Sequence, residues 1–92
     1  MSTSSPKKFT HKQGQYLAYI HTYALLNGRP PAETDFQRFF KVTPPSVHQM
    51  IVQLERRGLI SRVPGQPRTI QVTLRDDELP RLQPIKNTAA RY

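Results

Sequence analysis

The chain has 92 residues, no cysteine, and 14 lysines and arginines against six aspartates and glutamates, which gives a formal net charge of +8. A chain of this length is expected to form one domain with a small core, and it has little room for the large clefts that most enzymes use. The lack of cysteine excludes disulfides, thiolate metal sites and cysteine nucleophiles.

Apolar and basic residues are distributed in a way that indicates both location and partner. No segment approaches the roughly 20 apolar residues that span a bilayer, and residues 1–8 lack the apolar region of a secretory signal. We therefore expect a soluble, cytoplasmic protein. The whole net charge lies in residues 1–75, which also hold nearly all of the periodic hydrophobic pattern. A basic folded region favours a polyanionic partner, most often nucleic acid, although a merely basic soluble domain has the same composition.

The first element in chain order is a helix over about residues 11–26. Residues 1–9 are rich in Ser, Thr, Pro and Lys, and we expect a disordered basic arm there. Thr10 and Gln13 then form a capping-box pattern, apolar residues recur at helical spacing after it, and Asn27-Gly28 is a typical helix end.

Two further helices follow. Residues 33–40 present an aromatic face, and acidic residues in the first turn suit the helix dipole. Thr43 is the expected N-cap of a third helix over about residues 44–57, where prolines are tolerated in the first turn. The clearest amphipathic pattern of the chain marks this helix, at Val47, Met50, Ile51 and Leu54.

The last predicted element is a β-hairpin. Residues 59–63 and 69–74 read as short strands around the turn sequence Pro-Gly-Gln-Pro at residues 64–67. The fold class is therefore mainly α with a small β-hairpin, a winged helix-turn-helix of three helices and a two-stranded wing over residues 10–75. Residues 76–92 form an extended C-terminal tail, whose Leu79, Leu82 and Ile85 either pair two copies or cover an edge of the core.

The third helix has an outward face, here called the reading face, that is uncharged and rich in hydrogen-bonding groups. A helix face that is only solvated usually carries Lys and Glu, whereas a face that reads base edges needs groups such as Gln and Ser. Basic residues lie around it in sequence, an arrangement that suits phosphate contacts for positioning and base contacts for specificity. The reading face consists of Pro45, Ser46, His48, Gln49, Val52 and Gln53.

The run from residue 9 to residue 72 resembles the N-terminal DNA-binding domain of the LexA repressor family, within the broader class of MarR-like winged helices. Four stretches in the family's order carry the resemblance: Phe-Thr-His-Lys-Gln at 9–13, Gly-Arg-Pro-Pro at 28–31, Val-Thr-Pro-Pro-Ser-Val at 42–47, and Leu-Glu-Arg-Arg-Gly-Leu-Ile at 54–60 followed by Pro-Arg-Thr-Ile at 67–70.

The resemblance implies that the third helix enters the major groove and that the wing, residues 62–70, contacts the backbone or the minor groove. Base contacts carry over to Thr43, Pro45, Ser46, His48 and Gln49. We assign the backbone or wing contacts to Lys12, Lys41, Arg62, Gln66 and Arg68.

The chain also departs from the family's pattern. His48 and Gln49 stand where the family has acidic residues, and Pro45 where it has an asparagine, so a different operator is expected. The LexA repressor continues into a self-cleaving Ser/Lys protease domain, for which this chain has no room, so autocleavage is not expected.

The sequence thus predicts a small transcriptional regulator that binds double-stranded DNA on the nucleoid, with two copies meeting as a homodimer on adjacent half-sites. The alternatives are a winged helix that docks proteins, with Val52 on its contact face, and an accessory DNA-binding protein of a mobile element. No enzyme, cofactor, small-molecule ligand or membrane partner is expected. The three histidines are far apart in sequence, so no metal site is expected either.

Overall fold

A computed structural model describes residues 9–85 and places three helices before a hairpin, as the sequence predicts. Helix α1 spans His11–Asn27. Its predicted capping box is confirmed, because Gln13 N donates to Thr10 Oγ1 at 3.1 Å and Thr10 N donates to Gln13 Oε1 at 3.0 Å. Gly28 ends the helix in the left-handed region, with φ of 73°, which glycine adopts without a steric penalty. The predicted arm, residues 1–9, lies outside the described residues except for Phe9, which packs against the core.

Helices α2, Glu33–Phe40, and α3, Pro44–Arg56, form the helix-turn-helix. Lys41 turns the chain after α2 in the left-handed region, at φ of 58°. Only residues 41–43 separate the two helices. Such a short connection allows few orientations of one helix relative to the other. Helix α3 ends one residue before the predicted boundary.

Thr43 occupies the predicted N-cap position of α3, but its side chain makes no capping hydrogen bond. Pro44 and Pro45, the first two helical residues, have no N–H to offer. The Thr43 hydroxyl instead lies 3.0 Å from the Ser46 hydroxyl. The N-cap position of Thr43 is thus confirmed, but its hydroxyl makes no capping hydrogen bond and belongs to the surface at the start of α3.

The wing is a hairpin with much shorter strands than the pattern predicted. Strand β1, Ile60–Ser61, pairs antiparallel with strand β2, Gln71–Val72, with Ile60 opposite Val72. The ladder stops early because the loop is held by side-chain bonds instead. Val63 N donates to Thr69 Oγ1 at 2.9 Å, and Thr69 Oγ1 donates to Gln66 O at 3.0 Å.

The core is a stack of aromatic rings between α1 and α2, closed by the apolar face of α3. The Tyr16 and Phe40 rings stack with centroids 4.4 Å apart, and those of Tyr19 and Phe39 are 4.6 Å apart. Burial raises the pKa of the Tyr16 hydroxyl to about 12. The aromatic residues of α1 and α2 thus serve packing. Aliphatic core members from α3 and the wing are Val47, Ile51, Leu54, Leu59, Ile60 and Ile70.

After a 3₁₀ turn at Asp76–Glu78, residues 79–85 run along α1; we call them the C-terminal strap. Gln15, which is 2% exposed, anchors the strap through its amide. Gln15 Nε2 donates to Arg81 O at 3.0 Å, and Gln83 N donates to Gln15 Oε1 at 2.8 Å. Contact is close, since a Cβ on Gly14 would lie 3.1 Å from Pro80 Cγ. Of the two roles considered for the tail's apolar residues, covering a core edge fits, because Leu79, Leu82 and Ile85 pack against the core.

Replacing Gln15 by alanine removes both strap hydrogen bonds and leaves a void beneath the strap. The free energy of unfolding should fall by about 1–3 kcal/mol, as for loss of buried hydrogen bonds. Urea unfolding of Gln15→Ala measures this. The matched control is Gln49→Ala, an exposed helical glutamine that should change stability by no more than about 0.5 kcal/mol. Equal losses in the two variants would contradict the anchoring role.

Candidate nucleic-acid interface

Helix α3 presents two opposite faces that differ in chemistry. Its inner face is buried, with Val47, Ile51 and Leu54 fully enclosed. On its outer side, the reading face, Val52 is half-buried and the other members are exposed, namely Pro45, Ser46, His48, Gln49 and Gln53. An exposed helix face with no charged side chain among these residues leaves hydrogen-bonding and apolar groups to define its surface.

The start of α1 lies beside the reading face. Lys12, Ser46, Gln49 and Gln53 line a shallow recess of about 150 Å³ between α1 and α3. The structure therefore brings the predicted backbone residue Lys12 next to two predicted base-contact residues that are more than 30 positions away in sequence. A cation next to neutral polar groups can engage a phosphate and a base edge together.

Gln13 sets the orientation of one amide in this recess, a role that the sequence analysis missed. Its Oε1 accepts from Thr10 N, so its Nε2 faces the other way and donates to Gln53 Oε1 at 3.5 Å. With its oxygen engaged by Gln13, Gln53 keeps its own NH₂ as the group available to a ligand. Gln13 thereby connects the capping box of α1 to the reading face.

Arg62, predicted to contact DNA from the wing, is 22% exposed and lies among carboxylates. Its Nε donates to Glu55 Oε1 at 3.0 Å, and its Nη1 lies 3.8 Å from Glu33 Oε2. The same Glu33 oxygen lies 3.6 Å from His48 Nδ1. Arg62, directly after β1, thus joins the wing to both helices of the helix-turn-helix, and Glu33 connects it to the reading face.

Arg68, also predicted to contact DNA, points inward and ties the wing to the helices. Its Nη1 donates to Tyr23 Oη at 3.1 Å, to Asp35 Oδ2 at 3.2 Å and to Pro30 O at 3.3 Å. Its backbone is left-handed, with φ of 60°, which is uncommon for a residue with a side chain. The observed contacts make Arg68 a structural link, and its predicted role in backbone contact stays a prediction.

Asp35 is the buried partner of this link, with 8% of its surface exposed. Burial alone would raise the pKa of its carboxyl. Three partners outweigh burial and hold the pKa below its ordinary value: Ala32 N, which donates at 2.8 Å, and the guanidinium groups of Arg38 and Arg68. Because Ala32 has no side-chain acceptor, Asp35 supplies the side-chain hydrogen bond at the start of α2. From the sequence alone, Asp35 was assigned only a helix-dipole role, since nothing local indicates its partner in the wing.

The other two residues predicted to contact the DNA backbone, Lys41 and Gln66, are exposed and lie outside the recess between α1 and α3. Lys41 lies in the turn between α2 and α3, and Gln66 in the wing loop. Gln66 lines one side of an open cleft of about 490 Å³ between the wing and the start of α2, which Glu33, Arg62 and Arg68 also line.

Residues 9–85 hold neither a cluster of metal-ligating side chains nor a membrane-spanning helix. Within that range no three His, Cys, Asp or Glu side chains converge on a point where an ion would be held. No helix in the same range is long and apolar enough to cross a bilayer.

Replacing Asp35 by asparagine should make the free energy of unfolding depend less on pH in the acidic range. Because the folded-state pKa of Asp35 is lowered, its contribution is complete above the ordinary carboxyl value of 3.8 and is lost as pH falls through the folded-state pKa. Asp35→Asn should therefore unfold more easily at neutral pH, by about 1–3 kcal/mol, and show a flatter decline below that value.

Urea unfolding across acidic and neutral pH measures this effect. Asp77→Asn is the matched control, since Asp77 is 74% exposed and an exposed pair contributes little. A wild-type pH profile in Asp35→Asn would contradict the assigned role of the carboxylate.

Comparison with known proteins identifies the family. Residues 6–69 match the model of the LexA DNA binding domain. The LexA repressor of Thermosipho melanesiensis is 36% identical over 80 residues, which cover 87% of this chain and 39% of the relative. The LexA repressor of Thermotoga neapolitana is 37% identical over 67 residues, covering 73% and 34% of the two chains. The chain thus spans about two-fifths or less of the length of these relatives. It belongs to the LexA DNA-binding domain family.

Proposed function

We propose that this protein is a sequence-specific double-stranded DNA binder that acts as a transcriptional regulator without catalytic activity of its own. Helix α3 reads the major groove, and residues 62–70 of the wing lie against the backbone or the minor groove. The observation that carries the proposal is the recess in which Lys12 of α1 borders Ser46 and Gln49 of the reading face. Its membership of a DNA-binding domain family supports the same function.

Base recognition falls to the exposed residues at the start of α3. Gln49 has an amide that bonds adenine in the major groove in two places, and Ser46 either donates or accepts. Thr43 and Pro45 offer apolar atoms to a thymine methyl, and His48 has two ring nitrogens. These five residues follow one another within two turns of helix and its cap, which is the reach of a recognition helix in one groove.

The basic residues differ in their expected contacts with phosphates, because some of them already pair with carboxylates of the protein. Lys12 at the start of α1 and Lys41 in the turn before α3 are exposed and supply charge to the DNA backbone, with exposed Gln66 in the wing loop as a neutral donor. Arg62 and Arg68 face internal carboxylates. Their main contribution to DNA binding is to hold the wing against the helix-turn-helix. Contacts of these two arginines with phosphates would add to that role.

Two copies on adjacent half-sites give the length of DNA that a single winged helix does not read. The relatives are named as repressors, and repression at a site overlapping a promoter is the corresponding role here. Association with the nucleoid follows from binding to chromosomal DNA.

Gln49→Ala and Ser46→Ala should weaken binding to the preferred sequence by about 1–3 kcal/mol each and leave binding to random duplex nearly unchanged, because each loses base contacts only. Fluorescence anisotropy with a duplex selected from a random pool measures both affinities. If neither change alters specific binding, the assignment of the reading face is wrong.

Lys12→Ala should weaken binding to all duplexes alike and reduce the slope of log affinity against log salt by about 0.9, the loss of one phosphate contact. Arg75→Ala removes the same charge from an exposed side chain outside the proposed interface and should leave the slope unchanged. Equal slopes for the two variants would mean that Lys12 acts only through net charge. A wild-type protein that binds no duplex at low salt would instead favour the protein-docking alternative for the reading face.

A further inference from the structure

Glu33 lies at the start of α2, outside the contacts assigned to DNA, yet it touches the reading face. We infer that Glu33 is a positioning residue that fixes the proton of the His48 ring and so determines which base His48 prefers. The inference rests on the proposed function, because it concerns how a base-contact residue is presented to DNA.

The geometry places one carboxylate oxygen between the reading face and the wing. Glu33 Oε2 is 3.6 Å from His48 Nδ1 and 3.8 Å from Arg62 Nη1. His48 remains 58% exposed, whereas Glu33 is 35% exposed. The imidazole therefore has one nitrogen directed at protein and a ring that a ligand can still reach.

Arg62 helps to hold the carboxylate in place. Its guanidinium lies between Glu33 and Glu55, with Nε donating to Glu55 Oε1 at 3.0 Å and Nη1 at 3.8 Å from Glu33 Oε2. The charged groups that meet around His48 are thus Glu33 from α2, Arg62 from the wing and, behind Arg62, Glu55 from α3.

A carboxylate only accepts hydrogen bonds, and at 3.6 Å its negative charge favours an N–H over a lone pair on the ring nitrogen that faces it. In neutral His48 the hydrogen is then on Nδ1, and Nε2 is left with a lone pair. Without Glu33, either nitrogen can carry the hydrogen, and the ring can present a donor or an acceptor to DNA.

A fixed acceptor selects among base edges in the major groove. Adenine N6 and cytosine N4 are the amino groups that donate there, whereas guanine N7 and O6 and thymine O4 only accept. His48 should therefore prefer an adenine or a cytosine at its position, and Glu33 is the source of that preference.

The first test needs no DNA. Nitrogen-15 NMR of the His48 ring, in alkaline buffer where imidazoles are neutral, should show the Nδ1–H form as the major species in the wild type. Glu33→Gln, which keeps the size of the side chain and loses its charge, should shift the ring toward Nε2–H. A wild-type ring that is mainly Nε2–H would overturn the inference.

The second test compares selected sequences. Duplexes enriched from a random pool by the wild type should favour adenine or cytosine at one position, and Glu33→Gln should reduce that preference about fivefold or more with the rest of the motif unchanged. Glu55→Gln is the matched control, since it removes a carboxylate from Arg62 and leaves the pair of Glu33 and His48 intact; it should retain the wild-type motif. Glu33→Asp, which restores the charge, should recover part of the preference.

Combined changes separate positioning from general destabilisation. In a His48→Ala background the preference is already lost, so adding Glu33→Gln should have no further effect on that position. An enriched wild-type motif that Glu33→Gln leaves unchanged would overturn the inference alone. A wild type that enriches no motif would overturn the proposed function, and the inference with it.

Discussion

The fold depends on one buried carboxylate, that of Asp35, which joins three elements that are distant in sequence. It accepts from Ala32 N at the start of α2, and its oxygens pair with Arg38 on the same helix and Arg68 in the wing. Arg68 continues to the hydroxyl of Tyr23 on α1. A buried charge without partners is costly, so each of these groups requires the others. The wing is thereby fixed against the helix-turn-helix, although its two strands pair over only two residues each.

A second ion pair runs parallel to the first and lies nearer the surface. Arg62, directly after β1, joins the wing to Glu33 and Glu55, as Arg68 joins the wing loop to Asp35. These two arginines therefore pair with three acidic side chains of the folded region. Lys12 at the start of α1 and Lys41 before α3 remain exposed. The positive charge of the chain is divided in this way between cations that build the wing and cations that are free to attract a polyanion.

Local signals predicted the helices well because each boundary is set by neighbouring residues. The capping box at Thr10 and Gln13 and the glycine at position 28 mark the ends of α1 within one residue. What the sequence missed depends on contacts between distant residues. The roles of Asp35 and Glu33 need the wing to be folded back onto α2, and Gln15 binds residues 66 and 68 positions away. For the same reason, the pattern assigned Arg62 and Arg68 to DNA alone, since nothing near them in sequence indicates a carboxylate partner.

The central claim, that α3 and the start of α1 form one DNA-reading surface, is tested most directly by mapping the bound face. A proton–nitrogen NMR titration with a selected duplex should produce the largest shift changes at the amides of Ser46, His48, Gln49 and Lys12. The exposed pair Leu25 and Leu26, at the far end of α1, should barely change. Large shift changes at Leu25 and Leu26, with the α3 amides unchanged, would contradict this proposal. They would place the interface at the C-terminal end of α1.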